Sequence, residues 1–367
     1  MKVMLVGAHF TPAVAVIEQL KKYPNVSIIY VGRETTQEGD SSPSYESGVW
    51  PNLGIKFIPI TTGRLQREFT LYTIPSLLKI PLGIVQSLCI ILKEKPDVIL
   101  SFGGYVAVPT VLVGWLFSIP IMIHEQTKVS GLANKISAFL ADKIALSFAK
   151  GSLREKYILT GNPLRNEVLN PVKIPLDYAK LFHYAQKNSL PTLLIMGGNQ
   201  GSHIINQTTE AALNKLLKIG CVIHITGNNK FNDFDRLKRL QNDRYLVKRW
   251  VSQEMGAILS KVDLIISRAG ANTLYELAYF GKPALAIPFE PLYQDEQNEN
   301  AKFFAHLGMV RILPQSKLSA ASLIKNIRKI LNNLNHFRQK AKNAKKVVKT
   351  DAAGRLALET LLLGKYI

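Results

Sequence analysis

The chain has 367 residues, 47% of them hydrophobic, with 46 Lys and Arg against 26 Asp and Glu and only two cysteines. That composition excludes a disordered chain and a disulfide scaffold, and the length asks for two domains rather than one core. The formal charge of +20 invites a polyanion, but more than half of it lies in residues 311–349, which hold eleven cations and no anion.

That stretch reads either as a solvated helix face or as a contact for an anionic surface. No interleaving of aromatic and basic residues accompanies it, so no nucleic-acid partner is expected. Cys89 and Cys221 are far apart and outside any metal-like spacing, which predicts two buried thiols in a reducing compartment.

In chain order, the apolar run Lys2–Val6 predicts a first strand, followed by the turn Gly7-Ala8-His9, a helix from Pro12 to Lys22 and a strand over 26–31. The Met1–Val6 run is too short for a signal peptide. Residues 70–92 are nearly long enough to span a bilayer, but Pro75, Lys79, Pro81 and Gln86 interrupt them. A spanning helix and an amphipathic helix broken near Pro81 both fit; the second, flanked by Arg64, Arg67, Lys79, Lys93 and Lys95, suits a protein lying on an anionic leaflet. Further strands are expected over 97–101, ending in Gly103-Gly104, and over 119–123, ending in His124-Glu125-Gln126.

Prolines 163, 171, 175 and 191 punctuate a stretch without periodicity, after which the pattern restarts. Strand 192–196 leads through Gly197–Ser202 into a helix over 204–217. Strand 263–267 leads through Arg268–Thr273 into a helix over 274–280, and a strand follows over 284–288. Alternating strands and helices predict an α/β protein with two doubly wound, Rossmann-like domains facing a cleft, ligands lying at the strand C-terminal ends. Their boundaries fall at 1–164, a hinge or linker over 165–190, and 191–349.

Glycine turns between a strand end and a helix start expose backbone N–H groups, and two of them in one domain suit a diphosphate. No Walker A sequence is present, and the first turn lacks the dinucleotide glycine spacing. Glu276, one turn into its helix, suits a ribose diol or the helix dipole equally well. His9, at the first strand end, is either a base for a sugar hydroxyl or a structural histidine, and the same choice applies to His124.

Several ordered segments are more specific: GGYVAVPTVL (103–112), IPIMIHEQTKVSGLANK (119–135), TGNPLR (160–165), LLIMGGNQGS (193–202), SRAGANTLYELAYFGKPALAIPF (267–289) and DEQNENA (295–301). On these the chain resembles the MurG family, the lipid-linked N-acetylglucosaminyltransferases of peptidoglycan synthesis, which have the GT-B fold. The resemblance implies an inverting hexosyltransferase that moves N-acetylglucosamine from UDP-GlcNAc to the 4-hydroxyl of MurNAc in undecaprenyl-diphospho-MurNAc-pentapeptide (lipid I). The product is lipid II, for cell wall biogenesis, cell shape and division, and the expected location is peripheral, on the cytoplasmic face of the cell membrane.

It further implies that 191–349 binds the donor and that 1–164, joined by a C-terminal helix over 350–367, binds lipid I and the membrane. His9 would be the catalytic base, with Glu125 in support. Thr127, Arg165, Asn199, Val251, Ala271, Asn272, Thr273, Leu274, Tyr275, Glu276 and Gln297 would contact the nucleotide sugar. Gly7, Ala8, Gly198, Gln200 and Gly201 would form the phosphate loops. No metal ligands and no cofactor are implied, and whether a divalent metal assists stays open. Three positions depart from the family pattern: the first glycine loop is shortened to VGAH, Thr127 replaces an asparagine and Asn199 a serine. The short loop keeps in play a transferase with another lipid acceptor; a separate alternative is a non-catalytic sugar-nucleotide binder at the membrane, which the presence of the base and the leaving-group contacts disfavours.

Overall fold

The structure is a computed structural model that describes residues 1–34, 48, 50, 51, 53–63, 73–149, 155–198, 201–290 and 295–366. The chain divides into two units, Met1–Arg165 with Lys349–Ile367 and Asn166–Val348.

The first unit is built on β1 (Lys2–Val6), β2 (Ser27–Gly32), β3 (Lys56–Pro59), β4 (Val98–Ser101), β5 (Ile121–Glu125), β6 (Lys143–Leu146) and β7 (Tyr157–Leu159). All pairings are parallel, in the order β3-β2-β1-β4-β5-β6-β7. β1 and β4 are buried along nearly their whole length because helices cover both faces, so these strands read as continuous apolar runs rather than alternating ones. The helices are α1 (Phe10–Leu20), α2 (Thr73–Glu94), α3 (Ala107–Leu116) and α4 (Leu132–Leu140). One core lies under α1, where Val14, Ile17 and Leu20 meet Val3, Leu5 and Leu100; the other, on the opposite face, gathers Met4, Ile99, Val111 and Ile123.

Helix α2 is not broken at Pro81: it runs unbroken through 22 residues with the proline inside. The lost ladder bond is offset by packing on α3, where the Ser87 and Thr110 hydroxyls meet 3.2 Å apart in the interior. Among the described residues, no helix is long and apolar enough to cross a membrane. Cys89, expected inside, is exposed on α2, whereas Cys221 is buried.

The second unit contains α5 (Asn166–Leu169), α6 (Leu176–Lys187), β8 (Thr192–Met196), α7 (His203–Leu217), β9 (Cys221–Ile225), α8 (Asp233–Lys238) and β10 (Tyr245–Lys248). It continues with α9 (Met255–Lys261), β11 (Leu264–Ser267), α10 (Ala271–Phe280), β12 (Ala284–Ala286), α11 (Glu296–His306), β13 (Val310–Ile312), α12 (Ala320–Leu331) and α13 (Leu334–Ala344). Its parallel sheet has the order β10-β9-β8-β11-β12-β13. Of the 165–190 stretch read above as a hinge or linker, Arg165 belongs to the first unit and 166–190 add two helices to this one; Tyr178, Leu181 and Ala185 of α6 are buried. Part of the basic stretch is used internally. Arg338 pairs with Asp263, and the Lys345 ammonium sits 5.1 Å from the Tyr279 ring centroid.

The chain then returns to the first unit as α14 (Ala352–Leu363), which packs on α1 through Ala353, Leu356, Ala357 and Leu361 and is pinned by a 3.0 Å Lys143–Glu359 ion pair.

Candidate active site

In each sheet the strand order reverses direction at one point, between β1 and β4 in the first and between β8 and β11 in the second. Ligands of doubly wound sheets bind outside the strand C-terminal ends at that reversal; Gly7, Ala8 and His9 follow β1, Gly198 and Gly201 follow β8 and Ala271–Glu276 follow β11, whereas Glu125 and Thr127 lie at β5, Val251 after the edge strand β10 and Arg165 beyond the edge strand β7.

In the first unit, β1 ends in Gly7-Ala8-His9 and β4 in Phe102-Gly103-Gly104. The two turns are in tight contact: Ala8 N–H donates to the Gly103 carbonyl at 3.1 Å, and a Cβ on Gly7 (φ +145°) would lie 2.9 Å from that same oxygen. Gly7 N–H donates to Val31 O at 3.3 Å and Gly103 N–H to Ser101 Oγ at 3.1 Å. Gly7 and Ala8, expected as phosphate donors, therefore spend their N–H groups inside the protein. Pro12, three residues into the first turn of α1, removes another donor.

His9 is the residue before α1 and is only partly exposed. Desolvation pulls its pKa down to about 4, reinforced by the Arg33 charge and opposed by Glu125, so the imidazole is neutral at physiological pH. His124 is fully buried at the end of β5, with Nε2 3.1 Å from Ser147 Oγ and the ring bonded to the Gly161 carbonyl. Full burial and the Ser147 bond fit the structural reading of this histidine.

Glu125 is buried, and its carboxylate is saturated. Oε1 accepts from Thr127 N–H at 3.1 Å and Thr127 Oγ1 at 2.7 Å, Oε2 accepts from Asn134 Nδ2 at 3.0 Å, and Ser130 adds a further bond. Burial pushes its pKa up, and these bonds outweigh burial to hold it below the usual carboxylate range. Glu125 therefore folds the 126–134 loop back onto β5, and Thr127, expected on the nucleotide sugar, is committed to that carboxylate. Arg165 is the last residue of the first unit's main segment and half-exposed.

In the second unit, Gly197-Gly198 follow β8, and Gly201-Ser202 precede α7; Asn199 and Gln200 lie outside the described residues. Gly198 (φ +86°) and Gly201 (φ +79°) need glycine's backbone freedom, and a Cβ on Gly201 would collide with the Thr226 carbonyl after β9. The next turn, Arg268–Gly270, leads into α10 three residues earlier than the sequence pattern indicates, at Ala271. The donors ahead of the helical ladder consequently belong to Ala271–Thr273. Leu274 N–H is bonded to Gly270 O at 3.0 Å, and the side chains of Leu274 and Tyr275 are core, the Tyr275 hydroxyl donating to Val347 O at 3.2 Å. Glu276 is buried in the second turn of α10. Val251 has its side chain buried in the segment after β10.

Gln297 acts as a clamp: its Oε1 accepts from Ala269 N–H at 3.3 Å and Phe289 N–H at 2.9 Å, which leaves the amide NH2 as the donating end. Arg268, which sequence reasoning passed over, joins the two turns. It donates to Ser202 Oγ at 2.8 Å and to the Ile287 and Pro288 carbonyls at 3.2 and 3.4 Å, with its guanidinium 5.5 Å from the Phe289 ring centroid. Burial lowers its pKa to about 10, against a rise from the Glu290 charge. An arginine at a strand end beside a glycine turn was the available signal.

Two Rossmann-type units with glycine turns at the sheet reversals form the plan of a GT-B glycosyltransferase. The model of the glycosyltransferase family 28 N-terminal domain matches residues 6–146, and that of the family's C-terminal domain matches residues 192–356. A Clostridium kluyveri protein is 34% identical over 337 residues, 90% of this chain and 91% of its own length. A Bacillus cereus protein is 34% identical over 351 residues, 94% and 95% of the two chains. Both carry the name UDP-N-acetylglucosamine--N-acetylmuramyl-(pentapeptide) pyrophosphoryl-undecaprenol N-acetylglucosamine transferase, the second with the suffix 2. The crystal structure of Acinetobacter baumannii MurG superposes with a TM-score of 0.72 at 24% identity, over 98% of this chain and 99% of that one. Staphylococcus aureus MnaA in complex with UDP gives 0.68 at 15% identity, over 100% and 97%; these two likenesses speak to the fold alone. The chain belongs to glycosyltransferase family 28 and, within it, to the MurG family.

Proposed function

We propose that the protein transfers N-acetylglucosamine from UDP-GlcNAc to the 4-hydroxyl of MurNAc in undecaprenyl-diphospho-MurNAc-pentapeptide, with inversion at the anomeric carbon. The observation that carries this reading is the Arg268 bridge between the Gly197–Ser202 and Arg268–Thr273 turns, a cationic, donor-rich pair of strand ends suited to a sugar diphosphate. The MurG-named relatives, matched over nine-tenths of both chains, supply the identity of the sugars.

In this reading Glu276 takes the ribose hydroxyls, the Val251 backbone the uracil, and Ala271–Thr273 the diphosphate. The Gln297 amide reaches the N-acetylglucosamine hydroxyls. Arg165, Arg268 and the Gly198–Gly201 turn stabilise the charge that grows on departing UDP. Neutral His9 accepts the proton of the 4-hydroxyl as its oxygen bonds to the anomeric carbon, and the bond from that carbon to UDP breaks. The first unit receives the lipid. α2 exposes Ile74, Leu78, Leu82, Val85 and Leu92, and Trp115, Leu116 and Phe117 are exposed at the end of α3, an apolar surface suited to the cytoplasmic leaflet.

The test is acceptor-dependent UDP release in detergent, with UDP-GlcNAc and a lipid I analogue. Release abolished by His9→Ala is the expected result; transfer only to a different lipid acceptor would overturn the acceptor assignment. The internally bonded Gly7-Ala8 turn favours that second reading enough to include polyprenyl and diacylglycerol acceptors in the panel.

A further inference from the structure

The first unit poses a problem of charge. On the acceptor reading above, on which this inference rests, a polyprenyl diphosphate must sit near His9, yet three backbone donors of the adjoining turns are committed elsewhere: Gly7 N–H to Val31 O, Ala8 N–H to Gly103 O, and Gly103 N–H to Ser101 Oγ. Pro12 removes a donor from the first turn of α1. With these donors withdrawn, a diphosphate at a desolvated strand end needs a cationic partner from the side chains.

Arg33 is in the right place to answer it. β1 and β2 run parallel with Val6 opposite Val31, so Gly32 and Arg33 continue alongside Gly7 and Ala8 past the strand ends. Gly32 O accepts from Ile60 N–H at 2.9 Å, which fixes the backbone immediately before Arg33. The side chain is half-buried, and its charge is felt at His9. Arg33 and Glu125 act on His9 with opposite signs, and an acceptor anion beside His9 would lie within reach of the Arg33 charge. Guanidinium is the side chain best matched to phosphate oxygens, which it binds through paired N–H donors.

We infer that Arg33 binds the diphosphate of the lipid acceptor and takes over the role that the shortened Gly7-Ala8 turn cannot fill. Arg33 is then a binding residue for the acceptor, with no part in donor recognition.

The experiment compares wild type, Arg33→Gln and Arg33→Lys by UDP release, using MurNAc-pentapeptide carried on a polyprenyl diphosphate and the same saccharide on a polyprenyl monophosphate. Arg33→Gln should raise the KM for the diphosphate acceptor roughly tenfold, keep kcat and the KM for UDP-GlcNAc within about twofold, and erase most of the preference for diphosphate over monophosphate. Arg33→Lys should fall between the two. An unchanged acceptor KM, an equal loss on both acceptors, or a fall in kcat alone overturns the inference, the last by placing the effect on His9. Should Arg33→Gln not fold, as judged by calorimetric UDP binding, Arg33→Lys decides, with a rise of about threefold in the diphosphate KM expected and no rise refuting. Wild type silent on both acceptors would instead overturn the acceptor reading itself, and this inference with it.

Discussion

The depressed pKa of His9 makes the acid limb of the rate profile diagnostic. For a base whose pKa is held at about 4, roughly 97% of the enzyme carries neutral imidazole at about pH 5.5. An imidazole near 6.5 would be only about 9% neutral there. Between about pH 7.5 and 5.5, kcat/KM should therefore stay within a factor of about two, against a tenfold fall for an ordinary histidine. On the proposed role, so weak a base would take the proton late, once bonding to the anomeric carbon has made the hydroxyl acidic. The assay is initial-rate UDP release at subsaturating acceptor across that window, with UDP binding measured at each pH to confirm the fold. A tenfold decline with intact UDP binding would refute either the desolvation of His9 or its role as base.

Three further outcomes follow from the geometry. Gly201→Ala drives a methyl into the Thr226 carbonyl from a backbone at φ +79° and should weaken UDP binding at least tenfold by calorimetry. Gly198→Ala, with open space around it, meets only the left-handed backbone cost of ~1–2 kcal/mol, and equal effects at the two sites would contradict the assigned turn. Thr127→Val removes the 2.7 Å bond to buried Glu125 and should cost ~1–3 kcal/mol of stability, while Thr127→Ser should restore it; identical melting of all three proteins would argue against the Glu125 anchor. His124 and His224 are buried with pKa values lowered to about 4 and about 3, desolvation being the main cause. Stability is then complete above about pH 6.5 and falls below it, as the unfolded chain takes up protons that the folded rings refuse, with a limiting slope of ~1.4 kcal/mol per pH unit for each ring. Urea midpoints at about pH 7.5 and 5.5 should differ accordingly, and a flat midpoint would show that these rings are not held neutral.

Where sequence and structure agree, the reason is local. β1 and β8 are apolar runs closed by glycine, and no competing pattern covers Lys2–Val6 or Thr192–Met196. Where they part, the deciding force is tertiary. Pro81 stays inside α2 because packing on α3 outweighs one lost hydrogen bond. α10 begins at Ala271 although Asn272 and Thr273 are indifferent helix formers, because the preceding turn sets its entry. The glycine turns and His9 were legible as strand-end residues, but the use of Gly7 and Ala8 N–H depends on partners 24 and 95 residues away. The Arg268 bridge to Ser202 likewise spans 66 positions. Spacing along a chain cannot report where a donor's bond ends; only the assembled sheet can.

The return of α14 to the first unit makes the second unit, Asn166–Val348, an insertion within the first. A growing chain can complete the second unit from contiguous sequence while the first still lacks the helix that covers α1. Shortening the chain from its C-terminal side should then injure the unit that holds His9 and leave the fold of the second unit intact, so that the first unit matures last although its first strand is synthesised first.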